Sequence, residues 1–175
     1  KEKGFYQNYG FDVSFLEYKN GINIVDEVTS GKVDFGIGYP AIIVARSKGA
    51  DIVLLDAIYQ SSPHVLVSLA SSNINSFQDF KGKKVMIDSS AYENAGIISM
   101  FKSHNITNKD FTAVLNSYNT KALLAGKVDA MSIYSSNELF TIKKSGKAYK
   151  IWNPADYGFD FYNDILFTSS SMINK

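Results

Sequence analysis

The stretch Gly31-Lys32-Val33-Asp34-Phe35-Gly36-Ile37-Gly38-Tyr39 has an echo at Gly126-Lys127-Val128-Asp129-Ala130-Met131-Ser132-Ile133-Tyr134. Gly, Lys, Val, Asp and the closing Tyr recur at identical offsets, and a helix-like stretch follows each copy. Glycine directly after an apolar-periodic run ends a helix, because it adopts the left-handed conformation without a Cβ penalty. The apolar residues that follow read as a short strand, and the tyrosine closes it. One such unit is an ordinary helix–turn–strand. Two in one chain predict two similar α/β lobes, with Tyr39 and Tyr134 delivered from strand ends toward a shared cleft.

Outward from the first copy, residues 11–18 (FDVSFLEY) alternate apolar and polar side chains, which predicts a strand. A helix is expected over 22–30, with Ile22, Val25 and Val28 on one face. Pro40 suits the first turn of a helix over 41–48 that Gly49 ends. Strands are expected over 51–59 and 64–69. Residues 72–83 turn polar, with Ser76 as a helix cap, and the crossing between lobes is placed here. The first lobe is then 1–71, the second 72–158, and 159–175 a strand returning to the first. In the second lobe, expected strands over 84–88, 111–115, 128–134 and 149–152 alternate with helices over 91–104, from Asn119 or Thr120 to Gly126, and over 137–144. A long strand is expected over 160–169. Alternation at this spacing predicts an α/β fold with mostly parallel sheets.

In such sheets ligands bind outside the carboxyl ends of the strands. That rule singles out Gly38-Tyr39, Tyr59-Gln60, Asp88-Ser89-Ser90, Tyr118-Asn119 and Tyr134-Ser135. Asn163 and Asp164 add polar groups to the last strand, which recrosses beside the cleft in the two-lobe arrangement; they read as ligand-recognising or as the water-facing side of an edge strand.

Composition narrows the chemistry. The 18 basic and 17 acidic residues leave a net charge of +1 with no long single-sign run, so the basic stripe of a nucleic-acid binder is missing. The longest clean aliphatic run, residues 41–45, is far too short to span a bilayer. There is no cysteine, which removes disulfides, thiolate metal sites and cysteine nucleophiles. The two histidines, His64 and His104, have no carboxylates at metal-ligand spacing, so no metal or other cofactor is expected. His64, after Pro63, reads as structural. No nucleophile elbow or Ser/His/Asp order stands out.

The segments KEKGFYQNYGFDV (1–13), GINIVDEVTSGKVDFGIGYPAIIVARSKG (21–49), AIYQSSPHVLVS (57–68) and FQDFKGKKVMI (77–87), with the second GKVD copy, cover most of the chain. In combination they resemble the thiamine-pyrimidine-synthase-like branch of type II periplasmic binding proteins. That branch includes alkanesulfonate-binding and formylaminopyrimidine-binding proteins. The resemblance implies two lobes joined by hinge strands and closing on a small molecule. Members of the branch begin with a strand and an aromatic-rich ligand loop before the KEKGFY-like helix, and end in a helical segment. Neither has a counterpart here, and the opening Lys1-Glu2-Lys3-Gly4 is abrupt, so the chain reads as an excerpt truncated at both ends.

Gly36-Ile37-Gly38 lacks the third glycine of a dinucleotide loop. It reads instead as a strand end where small residues admit a ligand, with close packing as the alternative. Ser89 and Ser90, before a helix, would suit a carboxylate, sulfonate or phosphate, or simply cap that helix. Tyr39, Tyr59 and Tyr134 would stack on or hydrogen-bond a planar ligand, or fill a core. The expected ligand set is Gly38, Tyr39, Tyr59, Gln60, Ser89, Ser90, Tyr134, Ser135 and Asn163.

The function this implies is extracytoplasmic binding of a small solute, a pyrimidine or thiamine precursor or a small sulfonate. The partner would be an ABC permease, or a histidine kinase or diguanylate cyclase fused to the module. The rival is a pyrimidine synthase of the same resemblance, which consumes its own histidine and bound pyridoxal phosphate and carries a cysteine-rich iron motif. A chain without cysteine departs from that pattern.

Overall fold

The structure, a computed structural model, describes residues 1–17, 19, 22–88 and 95–174. Eight strands form two sheets: β1 (Gly36–Gly38), β2 (Val53–Tyr59), β3 (His64–Leu69), β4 (Lys84–Ile87), β5 (Thr112–Leu115), β6 (Ala130–Tyr134), β7 (Tyr149–Trp152) and β8 (Asn163–Thr168). The helices are α1 (Phe5–Asn8), α2 (Ile24–Thr29), α3 (Ala41–Ser47), α4 (Ala95–Ser103), α5 (Lys121–Leu124), α6 (Glu138–Lys144) and α7 (Ser170–Ile173). The smaller sheet has the order β1-β8-β2, the larger β5-β4-β6-β3-β7. Two lobes follow, each with its own sheet.

The repeated glycines do the same local job. Gly31 (φ 76°) ends α2: its N–H donates to the Val28 carbonyl, while the Lys32 N–H reaches back to Glu27. Gly126 (φ 69°) ends α5 with the same pair, its own N–H to Leu123 and the Lys127 N–H to Ala122. Both are Schellman closures, which satisfy helix carbonyls and turn the chain into the next strand. The two copies then diverge. The Asp129 carboxylate accepts the Lys84 N–H at 2.8 Å, fastening β6 to β4, whereas the Asp34 carbonyl accepts the Thr168 hydroxyl at 2.6 Å, fastening β1 to β8.

The expectation of mostly parallel sheets is corrected by the pairing. Among the described residues only β4–β5 and β4–β6 are parallel; β1–β8, β2–β8, β3–β6 and β3–β7 are antiparallel. Helix-linked strands are parallel as the alternation rule requires, but β3 and β8 enter their sheets directly from the other sheet and run against their neighbours. Strand β8 fills the gap between β1 and β2, which α3 connects. The change of sheet falls between Tyr59 and His64 rather than near residue 72, because β3 already belongs to the larger sheet.

Residues 11–17, expected as a strand, are irregular, and Phe11, Phe15 and Leu16 are exposed. Alternation produces a strand only where a neighbour supplies hydrogen bonds and an apolar face. Among the described residues none pairs with this segment.

Packing follows period two. In β3, Val65, Val67 and Leu69 join a core with Met131, Ile133, Leu123 and Ile142 under α5 and α6. Leu66 faces the other way, into Phe80, Phe101, Ile97, Met100 and Trp152 under α4. The larger sheet is therefore buried on both faces. The smaller sheet has one packed face, where Ile165 and Phe167 of β8 meet Val28, Ile42 and Ile52. Among the described residues no helix is long and apolar enough to cross a membrane.

Candidate ligand cleft

The strand ends named by the carboxyl-end rule converge between the two sheets. From the smaller sheet come Tyr39 after β1, Tyr59 at the end of β2, and Asn163 and Asp164 at the start of β8, which pairs Gly38 with Ile165 and Tyr59 with Asn163. From the larger come Asp88 after β4, Tyr134 at the end of β6 and His64 at the start of β3, which pairs with Tyr134. A pocket at the junction is lined by Pro40, Ser62, His64, Asn163, Asp160 and the first residues of α4, among others, and among the described residues no lysine or arginine lines it.

Tyr134 is the centre of the arrangement. Its ring stands edge-on to Tyr59 at 6.3 Å and beside His64 at 5.6 Å. Its hydroxyl donates to Asp164 Oδ1 at 3.3 Å, and its backbone N–H donates to Glu138 Oε2 at 2.9 Å. Burial pushes the phenol well above the ordinary tyrosine range, and nearby Tyr39 and Asp164 push it the same way. The two tyrosines of the repeated segment therefore sit close enough to influence one another. A second bridge spans the sheets where Tyr59 Oη and Ser136 Oγ lie 3.3 Å apart.

Asp164 has φ 47°, a left-handed conformation that aspartate tolerates better than most residues. Desolvation raises its carboxyl above the usual carboxylate range, with the Tyr134 hydrogen bond pulling the other way. Since the folded-state value is the higher one, this group favours folding below the unfolded value and loses that contribution as pH rises through the folded one. Asp164→Asn retains an acceptor for Tyr134 and suits the same φ. The variant is expected to melt slightly higher at pH 7, by less than about 3 °C, with no gain near pH 3.5. Thermal melts across pH 3.5–7.5 check this; a variant less stable at pH 7 than at pH 3.5, relative to wild type, would refute it.

Both chain segments that cross between the sheets are tied together. Asp160 accepts the Ser61 hydroxyl at 2.8 Å and the Ser62 N–H at 3.0 Å. Asn163, almost fully buried, donates from its amide to Ser62 Oγ at 3.2 Å, and the same oxygen accepts the His64 N–H.

Of the expected site residues, Tyr39, Tyr59, Tyr134 and Asn163 come together here. Gln60 and Ser135 are exposed at the rim, the Ser135 N–H pairing with the Pro63 carbonyl at 2.8 Å. Gly38 does not open a ligand approach: a Cβ there would meet Ile42 Cγ2 at 2.7 Å and Phe167 at 3.2 Å, so packing accounts for the glycine. Ser89 and Ser90 lie outside the described residues.

His64, expected as structural, packs beside Tyr134, and Asp160 and Ser62, absent from the expected set, join the crossing segments. Asp160 carried a usable signal, an acidic residue at the lobe return. Among the described residues no group of three or more His, Asp or Glu is arranged to hold a metal ion.

The family model described as NMT1/THI5 like matches residues 1–175. A Haemophilus influenzae protein provisionally named for thiamine biosynthesis is 27% identical over 97% of this chain and 55% of its own length. The formylaminopyrimidine-binding protein of Halalkalibacterium halodurans is 23% identical over 97% of the chain and 52% of its own. The 4-amino-5-hydroxymethyl-2-methylpyrimidine phosphate synthase of Legionella pneumophila is 33% identical over 49% of the chain and 27% of its own. The chain thus spans about half the length, or less, of these relatives. Among solved structures, the periplasmic aliphatic sulphonate binding protein SsuA of Escherichia coli superposes with TM-score 0.70 at 17% identity, over 99% of this chain and 56% of that one. The alkanesulfonate-binding protein SsuA of Xanthomonas axonopodis gives TM-score 0.63 at 17% identity, over 86% and 52%. With the family model matching along its whole length, the chain belongs to the NMT1/THI5-like family and has the two-lobed α/β fold of periplasmic solute-binding proteins.

Proposed function

We propose that the chain is a non-enzymatic binding module that closes its two lobes on a planar, amine-bearing solute such as a pyrimidine. The observation that carries this reading is the cleft itself. Tyr39, Tyr59 and Tyr134 supply aromatic surface and Asp88 and Asp164 supply carboxylates around the junction, while Asp160 lines the pocket itself, which no lysine or arginine lines among the described residues. Carboxylates accept hydrogen bonds from amino groups and repel sulfonate or phosphate. The sulphonate-binding neighbours therefore share the fold while the charge here favours the pyrimidine relatives. Lobe closure is a population shift, driven only by contacts that exist in the closed form and not in the open one.

The module would lie outside the cytoplasm and serve an ABC permease or a membrane-bound signalling domain. A thermal-shift screen of pyrimidines, sulfonates and carboxylates tests the binding reading, because a ligand of the folded state raises the melting temperature by mass action. Pyrimidines are expected to stabilise and sulfonates are not. Tyr39→Ala and Tyr134→Ala should each weaken the pyrimidine by roughly tenfold or more. Unchanged affinity in both variants would place the ligand elsewhere. The synthase reading makes a different prediction: added pyridoxal phosphate would produce the absorbance band of a lysine Schiff base, and a flat spectrum leaves the binding module standing.

A further inference from the structure

In the larger sheet the chain runs from β4 to β5 on one side and then crosses back to β6 on the other, so the strand order reverses at β4. Such reversals open a crevice at the carboxyl end of the central strand. Asp88 stands at that end, and Tyr118, after β5, leans over it. We propose that Tyr118 is a ligand-contacting aromatic wall of the cleft, that Asp88 is its positioning residue, and that its ring stacks on a planar solute.

The reasons lie in how this tyrosine is held. Its φ of 53° is a left-handed conformation that few non-glycine residues adopt, and it costs conformational energy. Its N–H donates to Asn116 Oδ1 at 2.9 Å. Asn116 is itself buried, and its amide donates to the Ser132 carbonyl at 3.1 Å and to Ser132 Oγ at 3.0 Å, so the turn is fixed to β6. The phenol hydroxyl donates to Asp88 Oδ1 at 2.5 Å. The other oxygen of Asp88 lies 3.8 Å from His64 Nε2, and His64 packs on Tyr134. The Asp88 carboxylate therefore joins Tyr118 to the cleft.

A core tyrosine buries its ring. This one has its backbone N–H and its hydroxyl each held by a hydrogen bond while the residue stays 62% exposed. An ordered, exposed aromatic at a strand-order reversal offers a stacking face at little further entropic cost. Stacking of a base on an aromatic side chain is strong enough to be read by substitution.

The inference rests on the binding reading above, and its test separates the two. Isothermal titration of the protein with 4-amino-5-hydroxymethyl-2-methylpyrimidine is compared across wild type, Tyr118→Phe, Tyr118→Leu and Tyr134→Leu, with circular dichroism confirming the fold of each. Tyr118→Leu is expected to weaken binding about tenfold, while Tyr118→Phe, which retains the ring, stays within about threefold. If Tyr118→Leu binds as wild type while Tyr134→Leu is weakened, the cleft stands and the wall is refuted. If Tyr118→Phe loses as much as Tyr118→Leu, the ring is not the contact and the stacking assignment fails. Failure of wild type to bind the pyrimidine overturns both readings.

Discussion

Trp152→Ala is expected to leave the protein unfolded at 37 °C or to lower its melting temperature by about 10 °C or more. Trp152 is 1% exposed at the end of β7, with its ring centroid 5.1 Å from those of both Phe77 and Phe80. Its indole N–H donates to Ser68 Oγ at 3.0 Å, so the polar edge is satisfied inside the core. Truncation removes that contact, strands the buried Ser68 hydroxyl and leaves a cavity between two phenylalanines. Losses of this kind run to about 3–5 kcal/mol. In a chain of this size that corresponds to the stated shift. Trp152→Phe retains most of the packing and loses chiefly the hydrogen bond, so it should fall between the two. Since Trp152 is the only tryptophan, far-UV circular dichroism is the measurement to use. An alanine variant melting within about 3 °C of wild type would mean that this core is not the one that stabilises the larger lobe.

The parts of the fold legible in the sequence are those fixed by local chemistry. Gly31 and Gly126 announced helix ends because a left-handed residue there closes a Schellman pair, and both occupy that conformation. Strand β3 was legible to the residue because His64–Leu69 lies between Pro63 and a polar turn. Strand direction was not legible. The 64–69 stretch reads the same whether β3 runs with β6 or against it, and only the direct step from one sheet to the other decides. Residues 11–17 had the right alternation and, among the described residues, no strand partner, which period-two patterning cannot reveal.

The strand-end rule names Tyr39, Tyr59 and Tyr134, which the structure places near one another, because tyrosine position follows from where each strand stops. It does not reach His64, whose contact with Tyr134 depends on antiparallel register across 70 residues of chain. Gly38 failed for the opposite reason. A glycine at a strand end looks the same in sequence whether a ligand or a phenylalanine ring comes close to it, and here it is Phe167 with Ile42.

That close approach sets up the second large effect. Phe167 is fully buried at the centre of the smaller sheet, in a core that otherwise relies on Val28, Ile42, Ile52 and Ile165. Phe167→Ala is expected to cost about 3–5 kcal/mol, and the loss falls on a lobe with one packed face and few residues to share it. The larger lobe has two separate cores and should outlast it. Native-state hydrogen exchange should therefore show amides of β1, β2 and β8 losing protection while those of β3, β4 and β6 retain theirs. Uniform loss across both sheets would mean that the lobes unfold as one unit. The same contact can be probed from the other side. A Cβ at Gly36 would meet the Phe167 ring at 2.7 and 2.8 Å and Ile24 Cγ2 at 2.9 Å, so Gly36→Ala should cost about 1–3 kcal/mol by overpacking. Phe167→Leu makes room on the ring side, and the double variant should recover about 1 kcal/mol relative to the sum of the single ones. Strict additivity would show that the Gly36 penalty comes from Ile24 rather than from the ring.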